Sequence, residues 1–380
     1  PIQPPSHGEE QLAAASHYNE LKRERSSRHL SHIFHLRILN NLIKTDIINS
    51  AAMKAKLDAI NIDKKVLPGV SVIDFGCGMG GDIFKWLKNP SGLARYVGVD
   101  IAQNSLKQFT ERVLTSSAQQ HGYGGASAAA EHLKVTHLVC ADIGTESLTS
   151  SALPCHTWDA DNSAQGTWER RVPLTSADQF DVASCQFAMH YMFQSAAKAQ
   201  HFFSQISAHL KPGGVFIATT MDCRVVAEAL IRKQQEDTQA ERVVTYRNDV
   251  GSDVLQLKIA EDMWPRLLRL SADTPSSSSS SSTSSSSDGV LEDSAFGIKY
   301  TFTLHDSEEG AAVDAPEWVV PLGRTLQSLA AAHGMRLVEM QNFQDLAAEM
   351  MQNDQKLRRS SMHAFNYKGT MSDAEWRVAR

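Results

Sequence analysis

The stretch "VIDFGCGMGGDIFKW", residues 72–86, decides the fold. A short apolar run containing Asp74 meets Gly76, Gly78, Gly80 and Gly81, and Asp82 follows them. An apolar run stopped by glycines reads as a buried strand. Glycines at the turn into a helix let a ligand approach bare backbone.

Outward from this stretch the strand–helix rhythm repeats. "GVSVIDF" predicts a first strand, with a helix from near Gly81. "ARYVGVD" predicts a second strand, with a helix over about 104–115. "KVTHLVCAD" and "QFDVASCQF" predict a third and a fourth. A helix near 195–210 leads through "LKPGG" into a fifth, "VFIATT". Alternation of this kind builds an α/β, Rossmann-like fold: a mostly parallel, doubly wound sheet with helices on both faces. Ligands of such sheets bind outside the carboxyl ends of the strands. Upstream, Ile33, Phe34, Ile38, Leu42, Ile43 and Ile47 recur at helical spacing, with Arg37, Asn40, Asn41 and Lys44 on another face. Downstream, "FGIKYTFTL" alternates as a strand, and residues 319–343 read as loop, helix and strand.

The chain has 380 residues, 42% of them hydrophobic, enough for a large core. Residues 1–25 are polar and read as a flexible segment, and the start at Pro1 implies a removed upstream tail. Residues 26–380 read as a single domain with inserts at about 143–178 and 271–294. The first insert shows no sustained period. The second holds the tract "PSSSSSSSTSSSSDG", which cannot bury apolar surface. A net charge of −6 gives no bulk case for gripping long nucleic acid, which leaves a local basic pocket. Five cysteines without a CxxC pair argue against a disulfide scaffold or a zinc site. No apolar run approaches a membrane span, and none forms a signal peptide. His29, His32 and His35 share a helical stripe but lack a fourth converging ligand, so no metal site is expected.

G-x-G alone is weak evidence for any particular ligand. Asp74 before the loop, Asp100 ending the second strand and the "LKPGG" turn together resemble class I S-adenosylmethionine methyltransferases, and Asp142 ends the third strand. The glycines would let backbone approach the donor, and Asp100 would accept both ribose hydroxyls. Asp142 lies within plausible reach of the adenine amine.

Further blocks narrow the resemblance. "HYNELKRERSSRHLSHIFHLRILNNLIK", "FDVASCQFAMHY", "LKPGGVFIATT", "VDAPEWVV" and "GTMSDAEW" follow in order. With the glycine loop, they make the chain similar to the messenger-RNA cap guanine-N7 methyltransferase family from about His17 to its end. The resemblance implies that Lys44, Gly76, Asp100, Asp142, Gln186 and Tyr191 contact S-adenosylmethionine. It implies that Asn40, Asn41, Lys85, Arg112, His190 and Glu317 contact the GpppN end of a capped RNA. It also implies a nuclear location and capping-apparatus partners, a triphosphatase and a guanylyltransferase, although no basic cluster here reads as an import signal. Two departures stand out. Met79 occupies the place of a family Lys, and the family's late Tyr would fall beyond Arg380.

The chemistry agrees. Guanine N7 has an in-plane lone pair and loses no proton on attack, so no general base or covalent nucleophile is required. Orientation alone is worth about 7–11 kcal/mol. Glu317 can accept from the guanine ring N–H and exocyclic amine and balance the developing cation. Tyr191, Phe187 and Trp318 are candidates to stack on the base. The glycine loop by itself would also suit another small-molecule or RNA methyltransferase, and Met79 would suit a catalytically weak cap-binding member.

Overall fold

The computed structural model describes residues 16, 31–61, 64, 66–120, 135–157, 167–236, 242–272, 295–307, 311–353 and 371–379. The serine tract, His29 and, apart from Ser16, the N-terminal segment lie outside the described residues. Elements run α1 (Phe34–Asn61), β1 (Val70–Phe75), α2 (Ile83–Leu87), β2 (Leu93–Asp100), α3 (Gln103–Gln120), β3 (Thr136–Cys140), β4 (Leu153–Thr157), β5 (Thr167–Arg171) and β6 (Phe180–Gln186). After a 3-10 helix (Met189–Gln194) come α4 (Ala196–His209), β7 (Leu210–Thr219), α5 (Cys223–Glu236), β8 (Val243–Arg247), β9 (Asp253–Ile259) and α6 (Trp264–Ala272). The rest comprises β10 (Lys299–His305), β11 (Ala311–Trp318), α7 (Arg324–Ala332), α8 (Phe343–Asn353) and α9 (Asp373–Val378).

β1 and β6 are buried along nearly their whole length, as central parallel strands with covered faces must be. The seven-stranded sheet has the order β5-β4-β3-β2-β1-β6-β7. Its five strands from β3 to β7 pair in parallel. The mostly parallel sheet expected from the sequence is therefore present. Strand order reverses between β1 and β6, so a crevice opens at their carboxyl ends. One face packs Ile73, Phe75 and Val99 against Phe202, Phe203 and Leu329 of α4 and α7. The other packs Val72 and Tyr96 against Phe109 of α3 and Ile48 and Ala52 of α1.

The segment read as an unpatterned insert contributes β4 and β5, an antiparallel pair that extends the edge beyond β3. Residues 158–166 between them lie outside the described residues. A second sheet, β11-β10-β9-β8, is an antiparallel meander over α5 and α6. The strand predicted after α7 does not form. Alternation makes a strand only where a partner supplies the ladder. Residues 335–342 pair with none, and Val338 is 73% exposed. The helix α1 extends well past the expected end near Ile48. Of the expected apolar residues, Ile43 and, just before the helix, Ile33 are buried, joined by Leu36 and Leu39, whereas Phe34, Ile38, Leu42 and Ile47 are half-buried.

Candidate functional site

Eleven of the twelve expected residues line one broad, open cavity that extends over much of the molecule and takes in the crevice between β1 and β6. Lys85 stands beside it, joined through Asp82 and Asn41.

The loop after β1 is tied to β2 by N–H bonds from Gly76 and Cys77 to the Val99 carbonyl, at 2.7 and 3.2 Å. Its glycines have different jobs. A Cβ on Gly76 would lie 2.4 Å from that of Ala188, and one on Gly80 would strike the Phe109 ring. At Gly78, with φ +51°, a Cβ would meet open space bordered by Asp100, and at Gly81 it would meet nothing within 4 Å. Gly80 thus seats the loop on α3, and the expected ligand approach there gives way to packing. Asp100 sits at the end of β2. Its Oδ2 accepts the Gly78 N–H at 2.7 Å and its Oδ1 the Ala102 N–H at 2.8 Å. Burial raises its pKa above the usual carboxylate range, and the two backbone bonds oppose that shift. Each oxygen keeps a further lone pair for a diol.

Asp142 lies two residues past β3, and its Oδ1 accepts the Gly144 N–H at 2.9 Å. Gln186 is 9% exposed and joins β6 to β7, with its Oε1 accepting from the Thr219 hydroxyl at 3.2 Å. The next residue, Phe187, has φ +58°, a left-handed backbone rare for a bulky side chain. Thr219 holds it there, accepting the Phe187 N–H with both its carbonyl, at 3.1 Å, and its hydroxyl, at 3.0 Å.

On the loop's other flank the Lys44 amine is 2.9 Å from Asp82, and the Lys85 amine is 2.7 Å from it. Burial works to raise the Asp82 pKa, but the two ammonium groups outweigh it and hold the carboxyl below its usual range. Lys85 also donates to Asn41 Oδ1 at 2.9 Å. Arg112 lies close enough to help lower the Lys85 pKa, whose main cause is burial. Asn40 is half-buried on α1 and Asn41 is exposed.

The far wall joins the two sheets. Tyr300 and Glu317 are register partners in β10 and β11, and the Tyr300 hydroxyl donates to Glu317 Oε2 at 2.6 Å. Glu317 Oε1 stands 3.5 Å from His190 Nε2 in the 3-10 helix. Both residues are almost fully buried, and neither His190 ring nitrogen has a hydrogen-bond partner among the described residues. Orphaned polar atoms in a crevice wall mark where a ligand belongs. Burial pushes the His190 pKa down to about 3 and that of Glu317 up to about 8, the latter against the Tyr300 hydrogen bond. Tyr191 packs on His190 with ring centroids 4.2 Å apart. Phe187 and Tyr191 line the crevice, whereas Trp318 is 2% exposed within the core. Trp318 is therefore withdrawn from the stacking candidates.

Sequence reasoning gave no site role to three members. Asp82 was visible as the acid closing the glycine loop. Tyr300 was legible only from its register with Glu317. Asp74 is buried beneath the loop and bonded by the Tyr96 hydroxyl at 2.7 Å. Burial and the nearby Asp82 charge raise its pKa to about 7. Among the described residues no group of three or more His, Cys, Asp or Glu side chains is placed to hold a metal ion, and no helix is long and apolar enough to cross a membrane.

The mRNA (guanine-N(7))-methyltransferase domain family matches residues 4–263 and 280–380. The mRNA cap guanine-N(7) methyltransferase 1 of Oryza sativa subsp. japonica is 30% identical over 96% of this chain and 78% of its own length. Its Arabidopsis thaliana counterpart is 29% identical over the same shares. Among solved structures, an S-adenosylmethionine-dependent methyltransferase from Clostridium acetobutylicum aligns with a TM-score of 0.38 and 14% identity, covering 80% of this chain and 87% of that one.

Proposed function

The chain belongs to the mRNA (guanine-N(7))-methyltransferase family, and on that premise we propose how its crevice divides the work. The activity is transfer of a methyl group from S-adenosylmethionine to N7 of the guanine in a GpppN RNA end. The donor fits what the crevice offers: bare backbone at Gly78, and a carboxylate on Asp100 held only by backbone N–H groups. When bound, S-adenosylmethionine supplies a sulfonium methyl that needs no further activation.

In this reading Asp100 accepts the ribose hydroxyls. Gly76, Asp142 and Gln186 border the adenosine, and Lys44 and Tyr191 border the amino-acid end. On the acceptor side, Glu317 takes the guanine ring N–H and exocyclic amine. His190 offers its orphaned nitrogens, Phe187 or Tyr191 a stacking face, and Asn40, Asn41, Lys85 and Arg112 a polar rim for the triphosphate. No residue removes a proton. The chain orients the two reactants, excludes water and sets a carboxylate where the purine becomes cationic.

The observation that carries this reading is the meeting of His190, from the 3-10 helix after β6, with Glu317, from the second sheet, in the crevice that Asp100 lines. Radiolabel transfer to GpppG tests it, with uncapped RNA as the control. Binding of GpppG without turnover would instead support the weak cap-binding reading that Met79 favours. We further place the protein in the nucleus beside the triphosphatase and guanylyltransferase that make GpppN ends, and read residues 26–380 as one domain.

A further inference from the structure

The block "GTMSDAEW", residues 369–376, belongs to the resemblance, yet no role attaches to any residue in it. Its Glu375 is 3% exposed, and its Oε2 stands 3.9 Å from His35 Nδ1, with no lysine or arginine paired to it among the described residues. Its two oxygens serve two different helices. At the start of α9, Oε2 accepts the Ser372 N–H at 2.9 Å, and Ser372 Oγ accepts the Glu375 N–H at 3.2 Å, a reciprocal capping box. The other oxygen, Oε1, accepts the N–H of Leu36 at 3.0 Å, 339 positions earlier in the chain.

Leu36 is the third residue of α1, and its N–H is one of those a helix leaves without an internal partner. α1 draws this cap from the opposite end of the polypeptide. A carboxylate there also matches the positive end of the helix. The Leu36 side chain is buried among Ala374, Met371 and Ala379, so the contact lies in a packed interior. A second anchor, Asp306, bonds Ser31 and reaches the Arg37 guanidinium at 2.7 Å. The turn fixed from both sides directly precedes Asn40, Asn41 and Lys44.

We propose that Glu375 is a positioning residue for the acceptor: by holding the first turn of α1, it sets where Asn40 and Asn41 stand against the capped end. This rests on the reading of α1 as an acceptor-binding helix. Lys44 has its own tether at Asp82, so the donor side is less exposed to a loosened turn.

The test compares steady-state constants and amide exchange in the full chain. Glu375→Ala raises KM for GpppG about tenfold, the size expected for one buried charge-assisted hydrogen bond. Its kcat and donor KM stay near the parent values, and amide exchange speeds up at residues 34–41. Glu375→Gln restores the cap KM, because the amide oxygen still accepts from Leu36. Ser372→Ala removes the hydroxyl half of the capping box, keeps the backbone N–H bond to Glu375 Oε2, and leaves the cap KM unchanged. The proposal is overturned if Glu375→Ala lowers kcat and Tm with an unchanged cap KM, or if Ser372→Ala raises the cap KM equally. Should Glu375→Ala fail to fold, Glu375→Asp, one methylene shorter, must raise the cap KM, and an unchanged value overturns the proposal. Asn41→Ala separates the two readings. If it leaves the cap KM unchanged while Glu375→Ala raises it, the acceptor role of Asn41 fails and the tether stands.

Discussion

Asp100, half-buried, and Glu317, almost fully buried, are carboxylates on one crevice, and they are held in opposite ways. Asp100 ends a central strand and is gripped by two backbone N–H groups one loop away. Glu317 comes from the second sheet, with a tyrosine hydroxyl and a neutral imidazole for neighbours. Asp100 is thus positioned by backbone close to its own strand end. The wall at Glu317, proposed to face the acceptor, joins side chains more than a hundred residues apart. A local motif keeps its geometry when its neighbours change, whereas an assembled pocket depends on every piece that docks.

Replacing each carboxylate should separate the halves. The largest effect belongs to Glu317→Ala: turnover of GpppG falls by about a hundredfold, while affinity for the donor product in calorimetry stays within about threefold. Equal loss of donor binding would place Glu317 in the core rather than the acceptor wall. Asp100→Ala should weaken donor affinity by about ten- to a hundredfold and leave cap binding measurable.

Tyr300→Phe probes the electrostatics of the wall. The Tyr300 hydrogen bond opposes burial at Glu317, so its loss drives the Glu317 pKa still higher than about 8. Near neutral pH this should raise the cap KM roughly fivefold, with partial recovery in more alkaline buffer. The parent protein should itself bind cap more tightly as pH rises toward 8, because the guanine donors need the ionised acid. The sign for folding is the reverse. Between the usual 4.5 and about 8 the folded protein keeps a proton that the unfolded chain has released, so stability falls as pH rises through that window. Glu317→Gln should flatten both dependences in titrations of binding and Tm. The smallest change is Met79→Lys, which restores the family cation at the crevice and should lower the cap KM by about threefold at low salt.

The central parallel strands were legible because burial on both faces leaves apolar runs that admit few readings, and the half-buried edge strand β7 was marked by the "LKPGG" turn. The β4–β5 pair was not. Pro154 interrupts one strand, and "TWERR" has no buried face to pattern it. The stripe of α1 was read in part, with Ile33 and Ile43 right and Leu36 and Leu39 missed, because apolar residues line more than one of its faces and the C-terminal packing chose between them. Asp100 announced itself by ending a strand. Glu317 was visible only through its block, since a Glu after a Pro carries no periodicity. The Asp82 clasp on Lys44 and Lys85 could not be read, because separation in sequence does not report which charges converge.

The left-handed backbone of Phe187 has a consequence of its own. A bulky residue held in that conformation costs about 1–3 kcal/mol, and a glycine there would relieve it. Glycine would also strip the ring that faces the Lys44 ammonium 5.8 Å away and leans on Phe343. Thermal hardening and ligand grip therefore pull this one position toward different amino acids, and the protein has kept the aromatic at the expense of a relaxed chain.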